Sequence, residues 1–326
     1  MIELSRGLMV GLSVAGAGLL IGSCLRLLSL RGDASDIANV RRRSLIVWWV
    51  LLLVLGVALA CGRFGLSVLF CGVGVMALVE FHRMFAKRSP VPRLLFWIVA
   101  LLGVGHYLLL AFANVLWPLA LFPLLALMAI STAQMLTGEM DGYLRASAGY
   151  LWAALLLFWG LSHAVALLQL PTLNSDDSNW LAVGEAGWPL LVVLLTETDD
   201  IFQALIGRRW GRHKMIPKIS PGKSWEGFLG GLVATIAIST AITPWLTSLT
   251  MGRTIGLSLL ISICVGLLVS VTGFLGDINI SALKREAGVK DSGSLLPGMG
   301  GMMDRIDSLS FTAPSFFYLA LALTHQ

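Results

Sequence analysis

WPLLVVLLTETDDIFQALIG, Trp188–Gly207, has the length and apolarity of a membrane span, yet Glu197, Asp199 and Asp200 sit near its middle. A carboxylate at bilayer depth costs about 2.5–3.5 kcal/mol on the insertion scale. Three of them would outweigh the favourable transfer of the neighbouring leucines, so such a helix persists only if its acids face a wet cavity, a metal or a cation. Glu197 and Asp200, three residues apart, share a helix face. The stretch sets two expectations together: helices in lipid, and a polar cavity among them.

The surrounding chain supports the first. Of its 326 residues, 57% are hydrophobic and 13% charged, whereas a soluble domain carries about 25% charged residues. Mean hydropathy is +0.84. Too few polar side chains are available to cover a water-facing surface. Runs of about 20 apolar residues cross roughly 30 Å of hydrocarbon. Hydropathy places spans at 7–30, 44–61, 65–80, 94–112, 115–135, 146–170, 188–206, 227–249, 254–275 and 309–325. The expected fold is all-α, a polytopic transmembrane bundle of nine or ten spans whose cytoplasmic polar loops form the site. It divides into an N-terminal bundle, 1–187, and a C-terminal catalytic region, 188–326.

The net charge of +5 reports orientation rather than a nucleic-acid partner. With spans alternating in direction, 20 of the 23 Lys and Arg fall on one side, in loops around Arg26–Arg43, Arg83–Arg93, Arg145, Arg208–Lys223 and Lys284–Arg305. Arg6, Arg63 and Arg253 fall on the other. Basic loops stay in the cytoplasm, so both termini are expected outside and the charged loops inside. The first span lacks a basic leader and a small-x-small cleavage site, and reads as retained. Cys24, Cys61, Cys71 and Cys264 lie in apolar spans without paired spacing, as small hydrophobes. His106 and His163 read as packed core histidines, and Glu80 first as an interfacial carboxylate, with distant membership of the site left open. For His213, phosphate contact and simple solvation are both open.

After the acidic span comes GRRWGRHKMIPKISPGKSWEG, Gly207–Gly227, with six basic residues and four glycines. Gly222 lets backbone approach an anion closely, Lys218 and Lys223 supply charge, and the Ser220–Ser224 region opens the next helix. A helix start with free N–H groups is a ready phosphate site. Pro217 occupies the position where a Walker A loop needs glycine, so that motif is excluded.

A second charged stretch, SALKREAGVKDSGSLLPGMGGMMDRID (Ser281–Asp307), lies between the last two spans. Asp277, Ser281, Lys284 and Arg285 follow i, i+4, i+7, i+8 spacing and line one face if the ninth helix continues through 286. Asp304 and Asp307 open the tenth helix, on a shared face. The glycine turn around Gly300-Gly301 allows Asp277 and Asp304 to approach each other. Paired aspartates without Cys or His suit a hard ion such as Mg2+ that bridges phosphates.

These residues resemble the signature of the CDP-diacylglycerol synthases (phosphatidate cytidylyltransferases). Ser281, Lys284-Arg285, Lys290-Asp291, Gly293, Pro297-Gly298, Gly300-Gly301 and Asp304-Arg305-Ile306-Asp307 match it. Pro217–Gly227 is similar to the family's second block, and Asp200 falls where the family places an acid before it. The matched segments, 197–231 and 276–309, make up about a fifth of the chain. Two departures stand out. Met299 replaces the family's histidine between its glycine elements, which puts metal preference and exact lipid acceptor in doubt. Asp200-Ile201-Phe202-Gln203-Ala204 replaces the commoner acid-Ser/Thr-Gly-Ala-Tyr.

The resemblance implies CTP + phosphatidate → CDP-diacylglycerol + pyrophosphate on the cytoplasmic side. It implies Mg2+, as one or two ions, on Asp277 and Asp304. Lys284, Arg285 and Asp307 become the catalytic candidates. Asp200, Lys218, Ser220, Lys223, Ser224, Ser281, Lys290, Asp291 and Arg305 become the substrate-binding ones. Partners implied are CTP, phosphatidate and the bilayer, with a homodimer as a candidate assembly and no nucleic acid. Rival readings are a CTP-dependent polyprenol kinase, an ion-coupled transporter and a non-catalytic relative carrying Met299.

Overall fold

Hydrocarbon offers no partner for backbone N–H and C=O groups, so apolar segments cross it as helices that satisfy those groups internally. The computed structural model describes residues 6–29, 31, 36–86, 92–113, 115–138, 140–171, 184–295 and 299–324. These contain α1 (Arg6–Ser29), α2 (Asp36–Ala60), α3 (Gly62–Ala86), α4 (Arg93–Phe112), α5 (Trp117–Leu136), α6 (Tyr143–Gln169), α7 (Gly187–Trp210), α8 (Trp225–Leu246), α9 (Ile255–Glu286) and α10 (Met303–Thr324). Among the described residues, eight helices are long and apolar enough to cross a membrane. α2 adds a shorter apolar run, Ser44–Ala60. α7 has the length, but its three acids dilute its apolarity. The protein is a polytopic all-α bundle, as hydropathy predicts. Lys87, Arg88 and Pro297-Gly298 lie outside the described residues.

One local departure from all-helix structure occurs where Gly207–Gly227 is expected to be loop. β1 (Lys214–Ile216) and β2 (Ser220–Ser224) form a short antiparallel hairpin. The Ser224 hydroxyl caps α8 by accepting from Gly227 N at 3.2 Å, which is the helix start the sequence suggests. Glu226, one residue into the helix, accepts from the backbone N–H groups of Arg212 and His213 and pairs with His213 Nδ1 at 2.6 Å. His213 thus holds the hairpin to α8.

The helices pack as two connected groups. α2, α3, α4 and α5 follow one another as neighbours, while α7, α8, α9 and α10 enclose the acidic segment. α6 joins them, packing on both α3 and α10. Tyr107, Tyr150, Phe158, Trp188, Phe316 and Phe317 are fully buried at their junctions. Outward positions such as Leu101, Phe112, Val233 and Ile255 are exposed leucine-like surface suited to lipid. His106 hydrogen-bonds Ser162 Oγ at 2.9 Å, and His163 Nδ1 bonds Trp159 O at 2.8 Å. Both are the packed histidines expected of their apolar setting.

Candidate active site

The predicted continuation of α9 is present: its 32 residues run to Glu286 and carry Asp277, Ser281, Lys284 and Arg285. Asp277 therefore lies within the helix, and its charge is met rather than left uncompensated. Lys223 Nζ from β2 pairs with Asp277 Oδ2 at 2.6 Å, and Ser281 Oγ donates to Asp277 Oδ1 at 3.1 Å. Lys223 also donates to Gln203 Oε1 at 2.9 Å and sits 5.6 Å from the centroid of the Phe274 ring. Gln203 Nε2 in turn donates to Asp199 Oδ2 at 2.6 Å. Burial opposes the ammonium form of Lys223, but Asp277 and Asp200 outweigh it, so its pKa lies above the usual 10.5.

The three acids of α7 do not share one environment. Asp199 is fully buried and accepts from Ser270 Oγ at 2.8 Å and Thr235 Oγ1 at 3.2 Å besides Gln203. Neutral donors from α8 and α9 hold it, so it bolts three helices together. Asp200 turns toward α10, accepting from Ser308 Oγ at 3.3 Å. The charges of Asp200, Asp277 and Asp307 act on one another, with Lys223 within the field of all three. Arg305 lies within the field of Glu197, Asp200 and Asp307, and its buried Nε has no hydrogen-bond partner. Gly276 permits this convergence: a Cβ there would stand 2.3 Å from Asp307 O, where α9 meets α10.

Asp304 and Asp307, expected on one helix face, point to different partners. Helical dihedrals persist from Met303 through Asp307 (φ −55°, ψ −52°), so the two leave one backbone face and it is their side-chain partners that differ. Asp304 Oδ1 accepts from Lys284 Nζ at 2.6 Å. Its Oδ2 accepts from Ser292 N at 3.0 Å and Gly301 N at 2.9 Å; Ser292 Oγ is 3.1 Å away, but its one proton goes to the shorter contact with Glu80 Oε2 at 2.7 Å. The two aspartates expected to share an ion therefore face separate partners: Asp277 is engaged by Lys223 and Ser281, Asp304 by Lys284 and the glycine loop. Among the described residues, no three His, Cys, Asp or Glu side chains converge as a preformed ion-binding cluster.

The other predicted residues divide between centre and rim. Arg285 Nε donates to Ile219 O at 2.9 Å and its guanidinium to Val289 O at 3.3 Å, tying the hairpin to the end of α9. Lys218, Lys290 and Asp291 are exposed, Ser220 is half-buried, and Met299 lies in a turn. A cavity of about 460 Å3 is bounded by Arg83, Asp291, Ser292 and Ser294. A larger apolar groove of about 700 Å3, beside Leu101, Phe112 and Trp117, lies on α4 and α5, away from every acid described above.

Sequence reasoning passed over one contributor, Gln203, and left the membership of a second, Glu80, open. Gln203 links Asp199 to Lys223, and its i, i+4 spacing from Asp199 was the available signal. Glu80, on α3, bonds three groups of the signature loop more than 210 residues away in sequence. No local pattern announces that contact.

Comparison with known proteins matches these residues to a family. The profile of the cytidylyltransferase family covers residues 42–323. An uncharacterized protein of Escherichia coli strain K12, YnbB, is 38% identical over 271 residues, 83% of this chain and 84% of that protein. A phosphatidate cytidylyltransferase of Haemophilus influenzae is 41% identical over 130 residues, 40% of this chain and 44% of that enzyme. One from Staphylococcus saprophyticus is 44% identical over 124 residues, 38% of this chain and 44% of that enzyme. The chain thus matches less than half the length of these named enzymes, whereas the family profile spans both helix groups. With that coverage, this chain belongs to the cytidylyltransferase family.

Proposed function

We propose that the protein is a phosphatidate cytidylyltransferase of the inner membrane, with its site open to the cytoplasm. An oxygen of the phosphatidate phosphate attacks the α-phosphorus of CTP. The bond from that phosphorus to the β-phosphate bridging oxygen breaks, and pyrophosphate leaves with the electron pair. Two polyanions must meet, so the work is electrostatic and needs no protein nucleophile. One observation carries the reading: Lys223 is seated between Gln203 and Asp277, with Asp200 and Asp307 in the same field.

The donor set fits a divalent cation. Mg2+ is ordinarily held by one or two carboxylates together with substrate phosphates. Asp277 and Asp307, with Asp200 beside them, offer hard oxygen donors, and Lys223 and Arg305 do not fully neutralise the three charges. One or two of these aspartates would hold the ion together with the substrate phosphates; Asp304, already accepting from Lys284 and two backbone N–H groups, organises the loop instead. When bound, the ion supplies positive charge to the triphosphate and leaving group.

Lys223 remains an ammonium at neutral pH and stabilises charge on the phosphates. Lys284, oriented by Asp304, does the same from α9. The partly buried Arg305 is suited to the lipid phosphate, and the exposed Lys218 and Lys290 to drawing anions toward the site. Because α7 to α10 face lipid outside this centre, acyl tails can stay in the bilayer while the headgroup reacts.

Membranes supplied with phosphatidate, Mg2+ and CTP labelled at the α-phosphorus should yield an organic-phase liponucleotide and free pyrophosphate. Transfer of γ-label to lipid, with CDP as the other product, would establish a kinase and overturn the reading.

A further inference from the structure

We propose that Glu80 is a positioning residue for the signature loop, acting on Lys284 through Ser292 and Asp304. Glu80 is 7% exposed at the end of α3, in the half of the chain that carries none of the signature. Its Oε1 accepts from Met302 N at 2.8 Å. Its Oε2 accepts from Met303 N at 3.0 Å and Ser292 Oγ at 2.7 Å. Ser292 N also donates to Asp304 Oδ2 at 3.0 Å, and the other oxygen of Asp304 holds Lys284 Nζ. The path Glu80–Ser292–Asp304–Lys284 therefore runs from α3, across the loop and α10, to α9.

Three features distinguish this from packing. Among the described residues no cation is in hydrogen-bond contact with this buried carboxylate, so neutral donors must satisfy it, and the three that do come from residues 292–303. A glutamine would turn an N–H2 toward backbone N–H groups that can only donate, so the carboxylate is chemically required. The loop is shaped around it as well. A Cβ on Gly293 would stand 2.7 Å from Glu80 Oε1, and one on Gly301 would stand 2.4 Å from Glu80 Oε2.

The catalytic arm of the test rests on the cytidylyltransferase reading; the exchange arm does not. Full-length protein in lipid nanodiscs is compared with E80Q, E80D and S292A by amide deuterium exchange and steady-state turnover. In E80Q, exchange at Ser292 and Gly301–Met303 should rise about tenfold or more while α7 and α8 keep their protection. Turnover kcat should fall about ten- to hundredfold, with KM for CTP moving less than about threefold. E80D keeps two acceptor oxygens and should recover part of both losses. S292A breaks the same path while leaving Glu80 in place, so the double variant should be no worse than E80Q alone.

Wild-type exchange and kcat in E80Q, or additive losses in the double variant, would overturn the proposal. Should the wild type transfer no cytidylyl group, the proposed function fails, and the exchange comparison still decides the role of Glu80.

Discussion

Replacing Lys223 with methionine removes one positive charge while keeping an unbranched side chain over Phe274. The lysine pairs with Asp277 at 2.6 Å, with side chains 19% and 20% exposed. At an effective dielectric of about 20, two charges at that separation attract by roughly 6 kcal/mol before desolvation is subtracted. Stripping one partner from a largely buried pair typically costs about 3–5 kcal/mol, because the other charge stays behind. Here Asp200 and Asp307 are left behind as well, while Ser281 still serves Asp277, so about 3 kcal/mol is expected. At about 2 °C per kcal/mol for a chain of this size, the melting midpoint in detergent should drop by about 6 °C in EDTA. Magnesium should then raise the midpoint more in K223M than in wild type, since a cation takes over the role of the ammonium. Cytidylyl transfer should fall about a hundredfold or more, as when other preorganised charge stabilisers are removed. A variant that melts like wild type in EDTA, gains no more from magnesium and keeps turnover within threefold would refute the electrostatic argument.

Four further outcomes follow from the geometry. G301A forces a Cβ to within 2.2 Å of Ser292 Oγ and 2.4 Å of Glu80 Oε2, and should destabilise by about 1–3 kcal/mol as overpacking does; G222A, with no atom within 4 Å of its Cβ, should melt normally, and thermal melts of the two check the contrast. D277N and D307N should each abolish transfer while D199N chiefly lowers thermal stability, a distinction visible when folded yield and activity are measured on the same preparations. Chelation should stop label transfer, and magnesium titrated back should restore it. Stability contributed by a raised-pKa lysine is fully present below its unfolded value and lost as pH rises through the folded one; because Lys223 lies above 10.5, the melting advantage of wild type over K223M should not shrink between pH 6 and 9 and should fall only above 10.5, and a margin lost between pH 6 and 9 would contradict the assignment.

Much of the bundle was legible because its determinants are local. Apolar length gives helices in lipid, and the acids of α7 announced a polar interior. The i, i+4, i+7, i+8 series from Asp277 foretold the extension of α9, and Ser224 marked the start of α8. The split between Asp304 and Asp307 was not legible. Helical periodicity places backbones, not side-chain partners: Asp304 meets Lys284 and the glycine loop, whereas Asp307 lies in the field of Asp277 and Asp200. The strands at Lys214–Ile216 and Ser220–Ser224 were missed because Gly, Pro and basic residues suppress strand propensity, and Glu226 compensates by pinning the start of the hairpin to α8.

What the chain determined by itself was the kind of solvent its helices meet and the chemical type of its polar centre, since both depend on composition and short-range spacing. Tertiary structure alone decided which carboxylate answers which cation: Lys223 to Asp277, Lys284 to Asp304, and Glu80 to neutral donors of the signature loop. Hydrogen bonds and ion pairs reach about 3 Å, whereas the groups that satisfy Glu80 lie more than 210 residues away along the chain. Only the packing of α3 beside α10 brings them within that reach.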